Sequence, residues 1–157
     1  MMGRVKVGVG IALGGGVIVC VSASLWMNRP FQTELGSYRT SLFERTEAQR
    51  HNIQQAVYAL DGVVIEPSKT FSFNDTVGPR TTERGFREAL AYMERDLVTS
   101  LGGGICQVTS TLYNAAALSG LNIVERHSHS RLVSSVPPGL DATVWFGRTD
   151  LRFGNPF

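Results

Sequence analysis

A long uncharged segment near the start of the chain most constrains what it can fold into. No charged residue occurs from Val7 to Met27, and the basic residues Arg4 and Lys6 come directly before this run. A segment of this length can cross a bilayer as a helix, and its positive flank favours a cytoplasmic N-terminus. The sequence therefore predicts a single-pass helix in the cell membrane, with the rest of the chain on the extracytoplasmic side.

A cleaved signal peptide is the alternative interpretation of this segment. Val21-Ser22-Ala23 offers small residues to a peptidase, and Gly14-Gly15-Gly16 weakens a helix. The domain would then be secreted. Under either interpretation it reaches a compartment that permits disulfides. Because Cys20 lies in the apolar segment, Cys106 is the only cysteine that the exported part contains.

Length and charge limit the remaining possibilities. The chain has 157 residues and a formal net charge of +2, which Arg4 and Lys6 account for. The remainder is neutral and offers no basic face to phosphates, so a nucleic-acid partner is not expected. The length excludes a two-domain enzyme and predicts an anchor or signal segment over 1–28, a linker over 29–36 and one domain over 37–157.

Hydrophobic spacing predicts the main elements of that domain. Apolar residues recur at helical spacing between Arg45 and Leu60 and again between Ile105 and Leu118. Short β-prone runs surround them, so the fold class expected is α+β, a single compact domain with an antiparallel sheet and a cysteine-bearing helix. The predicted strands are 37–43, 63–65, 70–73, 123–124, 132–133 and 142–146, with 63–65 and 70–73 forming a hairpin. Residues 81–100 fit a helix or a second hairpin equally well.

The glycine-rich run before the second helix predicts a reactive site. Gly102-Gly103-Gly104 places Cys106 in the first turn of that helix. Unpaired N–H groups and the positive end of the helix dipole favour a thiolate there. His129 as general base and Asp141 as its orienting carboxylate would complete a nucleophilic unit. Gln107 or the amide of Cys106 is the predicted donor to an oxyanion.

Three other interpretations stand beside this one. Cys106 can be a packing residue, and the glycines a flexible turn. His127 and His129 can hold a metal ion with Cys106, although no metal site is expected because a second cluster of ligands is missing. The domain can also be a binding module without catalysis. A peptide-binding cleft is then predicted from five residues, Gly103, Gly104, Tyr113, Arg126 and Trp145.

Several longer motifs make the chain resemble the VanW family. They cover nearly all of the predicted domain, and a chance match over so many motifs is improbable. The motifs are Asn52-Ile53, Phe71-Ser72-Phe73-Asn74, Val77-Gly78-Pro79-Arg80, Gly85-Phe86, Gly102-Gly103-Gly104-Ile105-Cys106-Gln107-Val108, Ser110-Thr111-Leu112-Tyr113-Asn114-Ala115, Glu125-Arg126, His129-Ser130, Asp141-Ala142-Thr143-Val144 and Asp150-Leu151-Arg152-Phe153.

The resemblance implies a bacterial cell-envelope protein associated with vancomycin resistance, and it implies further strands beyond the Asp150 motif, so a truncated domain is expected. With the cysteine site, it favours cysteine-dependent hydrolysis or acyl transfer on peptidoglycan peptides, without a cofactor. The alternative is a non-catalytic module that binds a cell-wall peptide or a glycopeptide. The order Cys, His, Asp is also similar to that of papain-like and transglutaminase-like enzymes, an analogy of fold logic alone.

Overall fold

The structure is a computed structural model that describes residues 4–12, 16–24, 33–93 and 96–157. Within these ranges the chain forms helices and short strands in mixed order. The helices are α1 (Glu47–Leu60), α2 (Phe73–Val77), α3 (Ile105–Leu118) and a 3-10 turn at Thr82–Arg84. The strands are β1 (Arg4–Ala12), β2 (Gly16–Ser24), β3 (Glu34–Ser41), β4 (Val64–Ile65), β5 (Thr70–Ser72), β6 (Glu88–Met93), β7 (Asp96–Leu101), β8 (Asn122–Glu125) and β9 (Arg152–Gly154).

The described strands pair in three antiparallel sheets. One has the order β3-β2-β1-β4, another the order β5-β9-β8, and β6 and β7 form the third. The α+β class and the antiparallel sheets expected from the sequence are thus confirmed. The ambiguous segment 81–100 holds the β6–β7 pair, as the hairpin alternative predicted.

The transmembrane helix predicted from the apolar run is wrong for the residues described. That run supplies β1 and β2, which pair along their whole length from Arg4 opposite Ser24 to Ala12 opposite Gly16. Valine and isoleucine are β-branched residues that favour strands, and the interspersed glycines weaken a helix, so an apolar run alone does not decide between the two. No helix in the described ranges is long and apolar enough to span a membrane.

Three further strand predictions are also wrong. β4 pairs with β1, while β5 pairs with β9, so the hairpin expected between 63–65 and 70–73 is absent. Residues 132–133 form no strand, and 142–146 contributes only the isolated bridges His127 to Thr143 and Trp145 to Thr149. Proximity in sequence suggested the hairpin, but distant segments supply the real partners of both strands.

The hydrophobic core lies between α1, α3 and the sheets. The predicted apolar stripe of α1 is buried, and its side chains meet those of α3. Burial of side chains of this size is the main source of stability in such a domain. The buried apolar side chains of the two helices are Ile53, Ala56, Val57, Leu60, Ile105, Val108, Leu112, Ala115 and Ala116.

The start of α1 offers a test of local stability. Thr46 Oγ1 accepts from the Gln49 backbone N–H at 3.2 Å, and Gln49 Oε1 accepts from the Thr46 N–H at 3.0 Å, which is a capping box. We expect Thr46→Ala to lower the free energy of unfolding by about 1 kcal/mol, and Thr46→Ser to retain most of it. Urea unfolding measures both, and equal midpoints for the two variants would contradict the capping role.

Candidate active site

The glycine-rich loop delivers Cys106 to the start of α3. Gly102 and Gly104 have φ values of +81° and +101°, which side-chain-bearing residues rarely adopt. The backbone then enters the helix with Gly104 as its N-cap and Cys106 in the first turn. The sequence prediction placed Cys106 at the same position.

A side chain of α1, Asn52, forms hydrogen bonds that fix the glycine-rich loop. Asn52 Nδ2 donates to the carbonyls of Gly103 at 3.0 Å and Arg87 at 2.9 Å, and Asn52 Oδ1 accepts from the Arg87 N–H at 2.8 Å. Asn52 is fully buried, so these bonds face no competition from water. One side chain of α1 thereby fixes the loop that precedes Cys106.

Asp141 is fixed by the same helix that carries Cys106. Asn114 of α3 donates to the Leu140 carbonyl at 2.7 Å, and Ser110 Oγ accepts from the Ala142 N–H at 2.9 Å. Thr109 Oγ1 donates to the Ala142 carbonyl at 2.6 Å. The residues on either side of Asp141 are therefore bonded to α3, although they follow it by more than twenty positions in the sequence.

His129 lies against Asp141. Asp141 Oδ2 accepts from the backbone N–H of His129 and from ring Nδ1, both at 2.7 Å. Because a carboxylate can only accept, Nδ1 carries the proton and Nε2 is left for the thiol. Burial opposes ionisation of Asp141, but its hydrogen bonds with His129 and the charge of Arg126 outweigh burial and lower its pKa.

His129 also forms a hydrogen bond with Cys106. Cys106, His129 and Asp141 therefore form a chain of three side chains in contact. Burial acts to raise the pKa of the Cys106 thiol, but the hydrogen bond and charge of His129 outweigh it, so the pKa lies below its ordinary value. Burial likewise opposes protonation of His129, yet Cys106 and Asp141 raise its pKa. Sγ also lies 3.5 Å from Thr143 Oγ1. Both pKa values are thus shifted in the direction of the charged forms, the Cys106 thiolate and the His129 imidazolium.

Cys106 and His129 open into a cleft of about 520 Å³. The glycine loop forms one wall, and the segment that contains Trp145 and Phe146 forms part of another. Trp145 is 43% exposed, which leaves an aromatic face available to a bound molecule. A cleft with a few polar groups in an apolar lining is typical of a site for small molecules or peptides.

The structure divides the five predicted cleft residues into two groups. Gly103, Gly104 and Trp145 line the cleft. Tyr113 and Arg126 do not: the Arg126 guanidinium stacks 5.1 Å over the Tyr113 ring and donates to the Asp141 and Gly139 carbonyls. It also contacts Asp141 Oδ1 at 3.2 Å. Arg126 therefore contacts Asp141 and lies outside the cleft that Cys106 lines.

Gln107 does not have the free amide that its predicted oxyanion role requires. Its Nε2 donates to Thr40 Oγ1 at 3.0 Å and to the Ser41 carbonyl at 2.8 Å, and its Oε1 accepts from Arg45. Both amide hydrogens are thus taken by β3. The other predicted donor, the N–H of Cys106, bonds to no backbone carbonyl of the described residues. Of the two predicted donors, that N–H is the one left without such a partner.

The alternative metal set is not assembled in the described part of the chain. His127 Nε2 pairs with Glu125 Oε1 at 3.0 Å on an exposed surface, whereas His129 faces Cys106. No group of three His, Cys, Asp or Glu side chains there has the arrangement to hold a metal ion. The two histidines are two positions apart, but His127 pairs with Glu125 and His129 pairs with Asp141.

Comparison with known proteins decides the family. The family model described as VanW like protein matches residues 48–157. The chain belongs to the VanW family. This VanW-like chain is 31% identical over 111 residues to the vancomycin B-type resistance protein VanW of Enterococcus faecalis, covering 66% of the chain and 40% of the relative. It is 46% identical over 124 residues to the uncharacterized protein YoaR of Bacillus subtilis, covering 79% and 41%.

The match covers only part of each relative's length. The chain spans about two fifths of the length of the curated relatives it matches. One of them bears the name of a vancomycin resistance protein, which links the family to that property. No solved structure matches the chain. The papain-like or transglutaminase-like fold considered from residue order therefore has no support.

Sequence reasoning missed two residues of the VanW-like site. Thr143 approaches the Cys106 sulfur, and Arg80 lines the cleft beside it. Both belong to motifs that carried the family resemblance, Val77-Gly78-Pro79-Arg80 and Asp141-Ala142-Thr143-Val144. An arginine after Gly-Pro, in a loop of a neutral domain, was the available signal for Arg80.

Proposed function

We propose that the domain is a cysteine-dependent hydrolase or acyltransferase that acts on amide or ester bonds of peptides in the bacterial cell envelope. One observation carries the proposal: Asp141, His129 and Cys106 form a continuous chain of contacts that ends at a helix start in an open cleft. This is the arrangement of nucleophile, base and orienting carboxylate that covalent acyl transfer requires.

The reaction follows from the two protonation states. The Cys106 thiolate attacks the carbonyl carbon, a sulfur–carbon bond forms, and the carbonyl oxygen takes negative charge. The imidazolium of His129 gives its proton to the leaving amine or alcohol as the carbon–nitrogen or carbon–oxygen bond breaks. Water, or an acceptor amine, then gives a proton to His129 and attacks the thioester, which restores the thiolate.

The start of α3 would stabilise the charge on that oxygen. The N–H of Cys106 points out of the first helical turn, where N–H groups have no partner within the helix. The helix dipole adds its positive end at the same place. Gly103 and Gly104 leave room for a substrate carbonyl to approach this backbone.

The choice of envelope peptides is supported by the family. A relative named as a vancomycin resistance protein associates the family with an antibiotic of the cell wall. Trp145 and the apolar cleft wall suit a peptide chain as substrate. Location of the domain outside the cytoplasm stays a prediction that accompanies this proposal.

Acyl transfer to Cys106 tests the proposal. We expect the native protein to be acetylated once by p-nitrophenyl acetate, at Cys106, and to lose the acetyl group with time. Mass spectrometry of the intact protein and of its peptides measures both steps. Cys106→Ser should not be acetylated at this position, whereas the control variant His127→Gln should be acetylated like the native protein. Acetylation of Cys106 only after unfolding would contradict the proposal and favour the non-catalytic binding module.

A further inference from the structure

Arg80 is the unexplained charge of the cleft. It lines the cleft together with Cys106, and its stem passes over the glycine loop, since a Cβ on Gly102 would lie 2.7 Å from Arg80 Cγ. Its guanidinium carbon lies 5.3 Å from the ring centroid of Phe73 and 5.8 Å from that of Phe146. Two aromatic rings thus hold a flat cation beside the nucleophile.

One nitrogen of this guanidinium, Nη2, has no hydrogen-bond partner among the described residues. Nη1 donates to the Gly78 carbonyl at 2.8 Å, but Nη2 is buried and makes no hydrogen bond within the described ranges. A buried charged donor without a partner is costly, so such a group in a cleft is suited to bind an acceptor. Burial lowers the pKa of Arg80 to about 10, which leaves it cationic at neutral pH.

The neighbouring carboxylate, Asp150, does not bond to Nη2. Asp150 interacts with Arg80 through its charge, but Asp150 Oδ1 accepts from the N–H groups of Asn74 at 2.9 Å and Leu151 at 2.8 Å. Asp150 Oδ2 is bonded to Ser72 Oγ. Its oxygens are therefore committed to the start of α2 and the approach to β9, away from the cleft.

The rest of the lining also favours an anion. Arg45 and His129 line the cleft with Arg80, while the anionic groups among the described lining residues are the exposed Glu44 and the Cys106 thiolate. A site with this balance attracts negatively charged groups. Phe146, one of the two rings near this guanidinium, is 47% exposed and lines the cleft.

We propose that Arg80 binds a carboxylate of the substrate, next to the carbonyl that Cys106 attacks. A planar guanidinium with an unpartnered donor nitrogen is suited to a carboxylate, the anion that a peptide carries. The site then takes an acyl peptide with a free carboxylate, from its C-terminus or from an acidic side chain. The reaction at that peptide rests on the proposed function, whereas the binding of the carboxylate does not.

Two alkylating reagents of similar size test the carboxylate directly. Iodoacetate carries a carboxylate and iodoacetamide does not, while both react with the Cys106 thiolate. We expect the ratio of their rate constants, iodoacetate over iodoacetamide, to fall about ten-fold or more in Arg80→Gln. Because any change in thiolate fraction alters both rates equally, the ratio isolates the interaction with the carboxylate.

Matched variants keep this experiment decisive. Arg84→Gln removes a guanidinium that donates to the Val77 carbonyl and does not line the cleft, so its ratio should equal that of the unaltered protein. Arg80→Lys keeps the charge without the planar edge and should give an intermediate ratio. The proposal is overturned if Arg80→Gln is folded, by circular dichroism, and its ratio matches that of Arg84→Gln.

Peptide binding separates the two carboxylate sources and does not depend on the thiol. The full chain with Cys106→Ala is titrated calorimetrically with acetyl-Ala-Ala-Ala, with its C-terminal amide, and with acetyl-Ala-Glu amide. We expect one of the two carboxylates to bind at least about ten-fold tighter than the uncharged peptide, and Arg80→Gln to remove the difference. Equal binding of all three overturns the proposal. A native Cys106 that reacts with neither reagent contradicts only the proposed function.

Discussion

Replacing His129 with glutamine is expected to slow alkylation of Cys106 by iodoacetamide near pH 6 by about ten-fold or more. In the native protein the hydrogen bond and charge of His129 overcome burial and keep the pKa of Cys106 below its ordinary value. Glutamine removes the charge, so burial then raises the pKa of the thiol. At a pH below both values, each unit of increase lowers the thiolate fraction about ten-fold.

The sign of the pH dependence follows from the same shifts. In the native protein the rate should be highest above the lowered pKa of Cys106 and fall as the pH drops through it. In His129→Gln that fall begins at a higher pH, and the two rates approach each other in alkaline solution. Asp141→Asn should give a smaller displacement in the same direction, because Asp141 acts on the thiol through the ring of His129.

His127→Gln is the matched control for this profile. His127 pairs with Glu125 and does not line the cleft, so its removal should leave the alkylation profile of Cys106 unchanged. Circular dichroism confirms that each variant is folded. A native profile centred near the reference thiol pKa of about 8.5, and the same in every variant, would contradict the three-residue unit.

The position of Cys106 in the first turn of a helix could be predicted from the sequence, because local features determine it. A cysteine in the first turn of a helix after glycines is a position with a definite electrostatic field, and the periodicity of 105–118 was enough to place that turn. The buried stripe of α1 followed from the same spacing rule. His129 and Asp141 were selected by residue type, and the structure places them in contact with each other.

Contacts between distant segments lay beyond sequence reasoning. Local signals do not decide whether the apolar run of β1 and β2 forms strands or a helix; its pairing with β3 and β4 does. Gln107 looked like a free amide beside the nucleophile until β3 took both of its hydrogens. Arg126 looked like a substrate contact, whereas its partner is the carboxylate of Asp141, fifteen positions away.

Position 103 has no room for a side chain, so a glycine is required there. We expect Gly103→Ala to lower the free energy of unfolding by about 3 kcal/mol or more. A Cβ there would lie 2.4 Å from the Ala89 carbonyl oxygen and 2.7 Å from that of Leu90. Both atoms belong to the backbone of β6, which cannot turn aside as a flexible side chain can. On the other side, Asn52 holds the Gly103 carbonyl against α1.

Gly154→Ala is the matched control, because its added Cβ would lie no closer than 3.8 Å to any atom and its φ is not in the left-handed region. Urea unfolding of both variants should show a large loss at 103 and a change within about 1 kcal/mol at 154. Equal midpoints would mean that β6 gives way readily. If β6 gives way, the loop before Cys106 is free to move with it, and its N–H is no longer a fixed donor for an oxyanion.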